Sequence, residues 1–163
     1  MIKYAITGHT QGIGKRAYER LSPNVIGFSK STGYDITDFS DRKRIIDESA
    51  DCDIFINNAT DGFGQTLLFL ELFEAWKDTN KTIINVGSRI AEVLILPEDQ
   101  QHLIRYQAEK LILKEMSKRT RGTCKVKYRW FAYVNTEAIL KKYPHFTEQD
   151  YISEDQAVDI ILS

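Results

Sequence analysis

Cysteine is scarce: Cys52 and Cys124 are the only two in 163 residues, far apart and in no CxxC pair. With His9, His102 and His145 also isolated, no metal-ligand spacing arises, so no metal is expected. A reduced, cytoplasmic protein is the expectation that follows. Long apolar runs are missing too. The most apolar stretch, Thr66 to Phe73, is too short to span a bilayer, and Met1 leads directly into an apolar strand with no basic-then-apolar leader, so neither a membrane nor an export route is expected. No charge dominates: 22 Lys and Arg face 23 Asp and Glu, for a net charge of −1. Bulk charge therefore gives no reason to expect nucleic acid as a partner. Basic residues gather between Arg105 and Arg129 and acidic ones after Glu137. Solvated helix faces, or attraction of a phosphorylated ligand, would both produce that pattern. Repeats, low-complexity tracts and linkers are absent, so residues 1–163 read as one domain.

What the chain does have is alternation. Strand-like runs at Ile2–Thr7, Val25–Phe28, Asp53–Asn57, Thr82–Val86 and Lys125–Tyr133 are separated by helical patterns at Ile13–Leu21, Ser40–Ser49, Gln65–Lys77 and Glu98–Thr120. A last helix is expected at Glu154–Leu162. Strands alternating with helices predict an α/β fold, a doubly wound parallel sheet of the Rossmann-like kind with five strands in the order 2-1-3-4-5.

Between the first strand and the first helix lies Thr7-Gly8-His9-Thr10-Gln11-Gly12-Ile13-Gly14. A glycine-rich turn there lets the backbone approach a pyrophosphate, and the helix N-terminus offers free N–H groups to it. Gly8, Thr10, Gln11, Gly12, Ile13 and Gly14 are therefore candidate cofactor-binding residues. Asn57, Asn58, Ala59 and Thr60 end the third strand, where a doubly wound sheet opens its ligand crevice; a simple strand-ending Asx turn is the other reading. Ser88 closes the apolar run of the fourth strand. Tyr106 and Lys110 stand one helical turn apart on one face, where an ammonium would lower the phenol's pKa and make it a proton donor.

These four segments, in this order, resemble the short-chain dehydrogenase/reductase family. The opening is similar to its TGxxxGxG turn at Gly8, Gly12 and Gly14, Asn57-Asn58-Ala59-Thr60 to its NNAG segment, Ser88 to its catalytic Ser, and Tyr106-Gln107-Ala108-Glu109-Lys110 to its YxxxK. The resemblance implies hydride transfer between a nicotinamide dinucleotide and a carbonyl or alcohol substrate. Ser88 would polarise the carbonyl, Tyr106 protonate its oxygen, and Lys110 hold the nicotinamide ribose. Asn58, Ala59, Tyr106 and Lys110 would contact the cofactor, with Asp35 beside the adenine. Where a ribose-binding acid would stand, Ser29-Lys30-Ser31 occurs, so NADP(H) is expected over NAD(H), with Lys15 and Arg16 near enough in sequence to assist.

The departures from the family matter as well. A helix and a strand collapse into Ser29–Asp38, and the family's PGxVxT segment is replaced by Phe131-Ala132-Tyr133-Val134-Asn135-Thr136. The substrate lid is nearly absent, which predicts a shallow, open pocket. Ser88 and Tyr106 are farther apart than in the family, so Ile90–His102 is expected as an inserted loop or early helix. The family's proton-relaying Asn has no counterpart, with Gln65 and Thr66 the nearest substitutes. In the helix containing Leu68, Phe69, Leu72 and Trp76, apolar residues run nearly all round, and a homodimer or homotetramer is expected to cover what the sheet cannot. The competing reading is a dinucleotide-binding sensor or scaffold without turnover. A flavodoxin-like protein would fit the topology but leave YxxxK unexplained.

Overall fold

Residues that are apolar on both sides make the central strands. Ala5 and Ile6, Phe55 and Ile56, and Ile83 and Ile84 are all buried, as a parallel sheet covered on both faces requires. The computed structural model describes residues 1–142, 145, 147 and 151–163. Its elements run β1 (Tyr4–Thr7), α1 (Gly12–Leu21), β2 (Val25–Phe28), α2 (Phe39–Glu48), β3 (Ile54–Asn57), α3 (Gly64–Trp76) and β4 (Thr82–Val86). They continue with α4 (Ile104–Arg119), β5 (Lys125–Arg129), β6 (Tyr133–Val134), α5 (Glu137–Lys142), β7 (Tyr151–Ile152) and α6 (Glu154–Leu162). The five-stranded parallel sheet has the order β2-β1-β3-β4-β5. This is the expected α/β doubly wound fold. The order reverses between β1 and β3, so the crevice where a ligand enters such a sheet lies at the carboxyl ends of these two strands.

One face of the sheet is covered by α2, α3 and α4 around Phe55, Leu68, Phe69, Leu72 and Leu113. The other is covered by α1 and α6 through Ala17, Val158 and Ile161. Here one expectation is corrected. Leu68, Phe69, Leu72 and Trp76 are all buried within the chain itself, because α3 is flanked by both α2 and α4 as well as backed by the sheet. A helix that is apolar nearly all round is here a core helix.

The collapsed segment after β2 is a single tight turn at Lys30–Thr32 followed by the bend at Tyr34–Thr37. Arg42 anchors that bend. Its buried guanidinium donates through Nη1 to the carbonyls of Ile36 (3.0 Å) and Thr37 (3.1 Å), and through Nε and Nη2 to the Glu71 carboxylate (2.9 and 3.0 Å). All three guanidinium nitrogens are engaged, so α2, α3 and the bend are fixed to one another.

Two boundaries differ from the pattern-based reading. The fourth helix starts at Ile104, not Glu98, because the stretch after Pro97 winds as a tighter 3₁₀ turn whose Gln101 side chain donates back to the Leu96 carbonyl (2.8 Å). The fifth strand ends at Arg129, after which the chain leaves the sheet and pairs β6 with β7 in a separate parallel ribbon, Tyr133 opposite Tyr151 and Val134 opposite Ile152. The last helix, α6, begins as expected, with Ser153 and Gln156 forming a capping box. Arg16 binds Asp155 (2.8 Å) and Arg20 binds Asp159 (2.6 Å), fastening α6 to α1. Arg16 is therefore committed to α6, and Lys15 pairs with Glu19 (3.9 Å). Among the described residues neither side chain forms a hydrogen bond or ion pair with the end of β2.

Candidate functional site

The turn after β1 is shaped by two glycines that take left-handed backbone angles, Gly8 (φ 74°) and Gly12 (φ 51°). A third, Gly14, is required by proximity: a Cβ there would lie 2.0 Å from the Gly8 carbonyl oxygen and 2.7 Å from Asn58 Nδ2. Asn58 completes the junction, donating from Nδ2 to the Thr7 carbonyl (3.1 Å), while the N–H groups of Asn58 and Ala59 both donate to Thr7 Oγ1 (3.0 Å each). The turn, the start of α1 and the end of β3 are thereby brought into contact. Gln11, the residue before α1, is extended and gives the helix no side-chain cap, and no acidic residue stands in the first turn. An uncapped, acid-free helix start beside a glycine turn suits an anion such as a pyrophosphate, so the residues present fit a dinucleotide.

An open pocket of about 430 Å³ adjoins this turn, lined by Gly8, Gln11, Ile13, Gly14, Ser29, Lys30, Asp35, Asn58 and Ala59, with Tyr34, Thr60 and Asp61. Nine of the sequence-predicted cofactor residues thus share one cavity. Thr10 joins them from the rim. Its hydroxyl is 2.9 Å from Ser29 Oγ and 3.1 Å from Ser31 Oγ, and the two serine oxygens are 3.2 Å apart, so three hydroxyls form a closed ring at the carboxyl end of β2. Lys30 turns away from that ring, bridging Asp35 (2.8 Å) and Asp61 (3.4 Å). The Lys30 ammonium and the Thr37 hydroxyl and N–H hold the Asp35 carboxyl down to about 2. Beyond Gly12 lies a larger cleft of about 1010 Å³, reaching Thr136, Lys141 and Asp155. His9 is not a plain turn residue: its ring packs on Gly27 and lies 4.9 Å from the Tyr18 ring.

At the carboxyl end of β4, Ser88 accepts a hydrogen bond from the Ile90 N–H (3.3 Å) and lies near enough to Tyr106 to pull the phenol's pKa down. Lys110, one turn farther along α4, places its ammonium 5.6 Å from the centre of the Tyr106 ring. The three sequence-predicted catalytic residues thus converge. The charge relationship among them differs from the expectation. Burial raises the Tyr106 pKa, with the Ser88 hydrogen bond pulling the other way. Burial also pushes Lys110 down to about 7, opposed only by Glu109. Lys110 does not depress the phenol because burial has already taken its proton by the pH at which Tyr106 ionises, so no cation is left beside the phenolate in that range.

The partners of Lys110 were not legible in the motifs. Its Nζ donates to Gln65 Oε1 (2.6 Å), Thr60 Oγ1 (2.7 Å) and the Val86 carbonyl (3.5 Å). Behind it runs a buried polar network, in which Asn57 Nδ2 donates to Asn85 Oδ1 (2.9 Å) and Asn85 Nδ2 to Ser117 Oγ (2.9 Å). Tyr128 on β5 lies across Gly87, where a Cβ would be 2.1 Å from its phenol oxygen, and burial pushes its pKa up to about 12. The inserted stretch packs on α4: Gln107 Nε2 donates to the Val93 carbonyl (2.7 Å) and Lys114 Nζ to Glu92 (2.6 Å). Its tip leaves Leu94 and Ile95 exposed. Among the described residues no cluster of three or more His, Cys, Asp or Glu could hold a metal ion, and no helix is long and apolar enough to cross a membrane.

The depressed Lys110 has a thermodynamic consequence. Unfolded, it returns to an ordinary lysine pKa near 10.4, so between about pH 7 and 10 the unfolded chain binds a proton that the folded protein does not. Stability is expected to rise with pH through that window, by up to about 1.4 kcal/mol per pH unit from this group, and Lys110→Met should remove that share of the rise. Urea unfolding of both proteins at pH 7 and pH 9 checks it; identical pH dependence would show that the ammonium is not desolvated.

Comparison of the sequence with protein-family models and with curated proteins finds no match. Solved structures do match. A short-chain dehydrogenase from Burkholderia cenocepacia J2315 in complex with NADP has a TM-score of 0.77 at 20% identity, the match covering 99% of this chain and 82% of that one. A short-chain dehydrogenase/reductase of unknown function from Caenorhabditis elegans, with cofactor, has a TM-score of 0.77 at 16% identity and coverage of 98% and 86%. A short-chain dehydrogenase from Sphingobium yanoikuyae in complex with NADPH has a TM-score of 0.71 at 17% identity and coverage of 99% and 83%. The chain has the fold of the short-chain dehydrogenases/reductases, as the order of its four motifs implied.

Proposed function

We propose that this protein is an NADP(H)-dependent oxidoreductase that transfers hydride between the nicotinamide and a carbonyl or alcohol substrate. The observation that carries the proposal is the meeting of Ser88, Tyr106 and the buried Lys110 at the end of β4. Thr60 joins them to the dinucleotide crevice, since it lines the adenosine pocket and also bonds Lys110. When bound, the nicotinamide would supply the hydride. The Ser88 hydroxyl donates a hydrogen bond to the substrate's carbonyl oxygen and so polarises it. Tyr106 delivers its phenolic proton to that oxygen, and hydride plus proton make the alcohol. Tyr106 is in the acid form at neutral pH and so has a proton to give, and because burial raises its pKa, the transfer depends on the Lys110 ammonium to offset the phenolate that forms. Lys110 presents its ammonium to the ribose and to the phenolate that forms. Tyr106→Phe removes one hydroxyl, so NADPH affinity should persist while turnover falls by about 10²–10⁴-fold, measured with a panel of carbonyl compounds. NADPH binding with no compound ever reduced would favour the sensor or scaffold reading.

The preference for NADP(H) is supported by the hydroxyl ring of Thr10, Ser29 and Ser31, which offers up to three donors to a 2′-phosphate where an NAD-binding chain would carry an acid. Two of the similar proteins are in complex with NADP or NADPH. Charge-assisted hydrogen bonds are worth about 1.5–3 kcal/mol each, so NADPH should bind at least about tenfold more tightly than NADH. Ser29→Asp should reverse the order. Dissociation constants for both dinucleotides decide this, and equal values in the unmutated protein would defeat the preference.

Self-association into a homodimer or homotetramer is proposed on residues other than those first suspected. Leu67 on α3 and Ile104, Leu111 and Ile112 on α4 are the exposed large apolar side chains of the paired helices, and a second copy would cover them. Light scattering at micromolar concentration should give at least twice the monomer mass of 18.8 kDa, and Leu111→Asp should lower it; a monomer throughout would count against the proposal.

A further inference from the structure

Among the described residues no carboxylate forms an ion pair with the buried Lys110 ammonium. Three neutral oxygens hold it instead, and they are not equivalent. Gln65 is itself buried, only 3% exposed, and its amide is fixed on both sides: Nε2 donates to the Asn57 carbonyl (2.7 Å) and the Val86 carbonyl (3.0 Å), which leaves Oε1 facing Lys110 Nζ at 2.6 Å. Those two carbonyls end adjacent strands, so the amide spans β3 and β4 and cannot rotate without leaving buried acceptors unpaired. Thr60, by contrast, is exposed, lies in the loop after β3, and has its hydroxyl 2.7 Å from the same ammonium at the edge of the adenosine pocket.

We propose that Gln65 is the positioning residue for Lys110, a fixed neutral ligand that keeps the ammonium beside Tyr106, while Thr60 is an exchangeable ligand whose place is taken by a hydroxyl of the bound dinucleotide. The second half rests on the oxidoreductase reading; the first does not. A fixed neutral acceptor orients the ammonium without neutralising it, whereas a carboxylate would bind it so strongly that exchange would be disfavoured. Of the surrounding carboxylates only Glu109 acts on Lys110, raising its pKa against burial, and each has a cation of its own. Glu109 on α4 is bound by Arg105 (3.1 Å), Asp61 beside Thr60 faces Lys30 (3.4 Å), and Glu71 on α3 is taken by Arg42 (2.9 Å). From β4 the groups near Lys110 are the Val86 carbonyl and Ser88, and from α4 the Tyr106 phenol, all uncharged at neutral pH.

The test uses the full chain and two readouts. The first is the titration midpoint of Lys110, followed through its Cε resonance and assigned with Lys110→Arg. Gln65→Met removes the fixed acceptor and should lower the midpoint by about one unit, a tenfold change in proton affinity. Gln65→Glu should raise it by at least as much. The second readout is NADPH affinity, for which the two ligands give opposite signs: Gln65→Met should weaken binding about tenfold, and Thr60→Ala, which frees a valence on the ammonium, should tighten it severalfold. A purely structural role for both residues would move affinity in the same direction, and that result overturns the proposal. A Lys110 midpoint unchanged in both Gln65 variants overturns it too. Should the Gln65 variants fail to fold, the side-chain amide resonance of Gln65 in the unmutated protein must titrate together with Lys110 and stop titrating in Lys110→Met; an amide indifferent to Lys110 overturns the assignment. If the unmutated protein binds no dinucleotide, the oxidoreductase reading and the exchange role of Thr60 fall together, while the titrations still decide the role of Gln65.

Discussion

Everything near the site depends on how closely α1 approaches the end of β1. At Gly14 there is no room for even one more carbon, since the Gly8 carbonyl and the Asn58 amide already occupy the space. Because Asn58 is also bonded to the Thr7 carbonyl, the contact fixes three things together: the helix N-terminus that faces an anion, the turn that carries it, and the end of the strand that continues into Thr60. A looser approach would separate the anion-binding helix start from the Lys110 environment, because Thr60 is the residue that touches both the crevice and the ammonium. One steric constraint thus couples the glycine turn and its helix start to the surroundings of Lys110.

The parts of this arrangement that the sequence makes visible are the ones governed by short spacing. Strand order follows from five apolar runs alternating with helices, and the glycine turn and the Tyr106–Lys110 pair each lie within a single element. The missed contacts join residues distant in sequence: Gln65 with Lys110 and Thr60 with Lys110 meet only when α3, α4 and the loop after β3 are placed on the sheet. Gln65 did carry a signal, as a polar residue at the start of a helix that is otherwise apolar nearly all round. Its burial follows from the position of that helix between α2 and α4, which also explains why Leu68, Phe69, Leu72 and Trp76 need no second chain to cover them. The direction of the Tyr106 shift was misread for a related reason. The i, i+4 spacing gives the proximity of an ammonium, but the loss of water around both groups is a property of the packed site.

Lys30 illustrates a different limit. Its position after β2 suggests a cation for a phosphate, yet the side chain has two carboxylates within reach, Asp35 and Asp61, and pairs with them. Under the proposed NADP(H) preference, recognition of a 2′-phosphate falls to the hydroxyls of Thr10, Ser29 and Ser31, which are already assembled. Preassembled neutral donors lose less on binding than a cation that must leave two partners.

The two buried cations separate structure from chemistry. Arg42 uses all three of its nitrogens on Glu71 and two carbonyls, so its charge is paired and its geometry closed. Such a group holds the collapsed segment after β2 in place and has nothing left to offer a ligand. Lys110 is equally buried, and burial leaves its proton held weakly, near pH 7, because the neutral oxygens around it do not offset the desolvation as a carboxylate would. A protein gains no stability from that second arrangement, since an isolated ammonium is costly to desolvate. Its place beside the Thr60 hydroxyl and the Tyr106 ring is consistent with the proposed proton-transfer site, where perturbed groups of this kind gather. The contrast follows from one difference, the carboxylate of Glu71 at Arg42 against the amide of Gln65 at Lys110, both carried by α3.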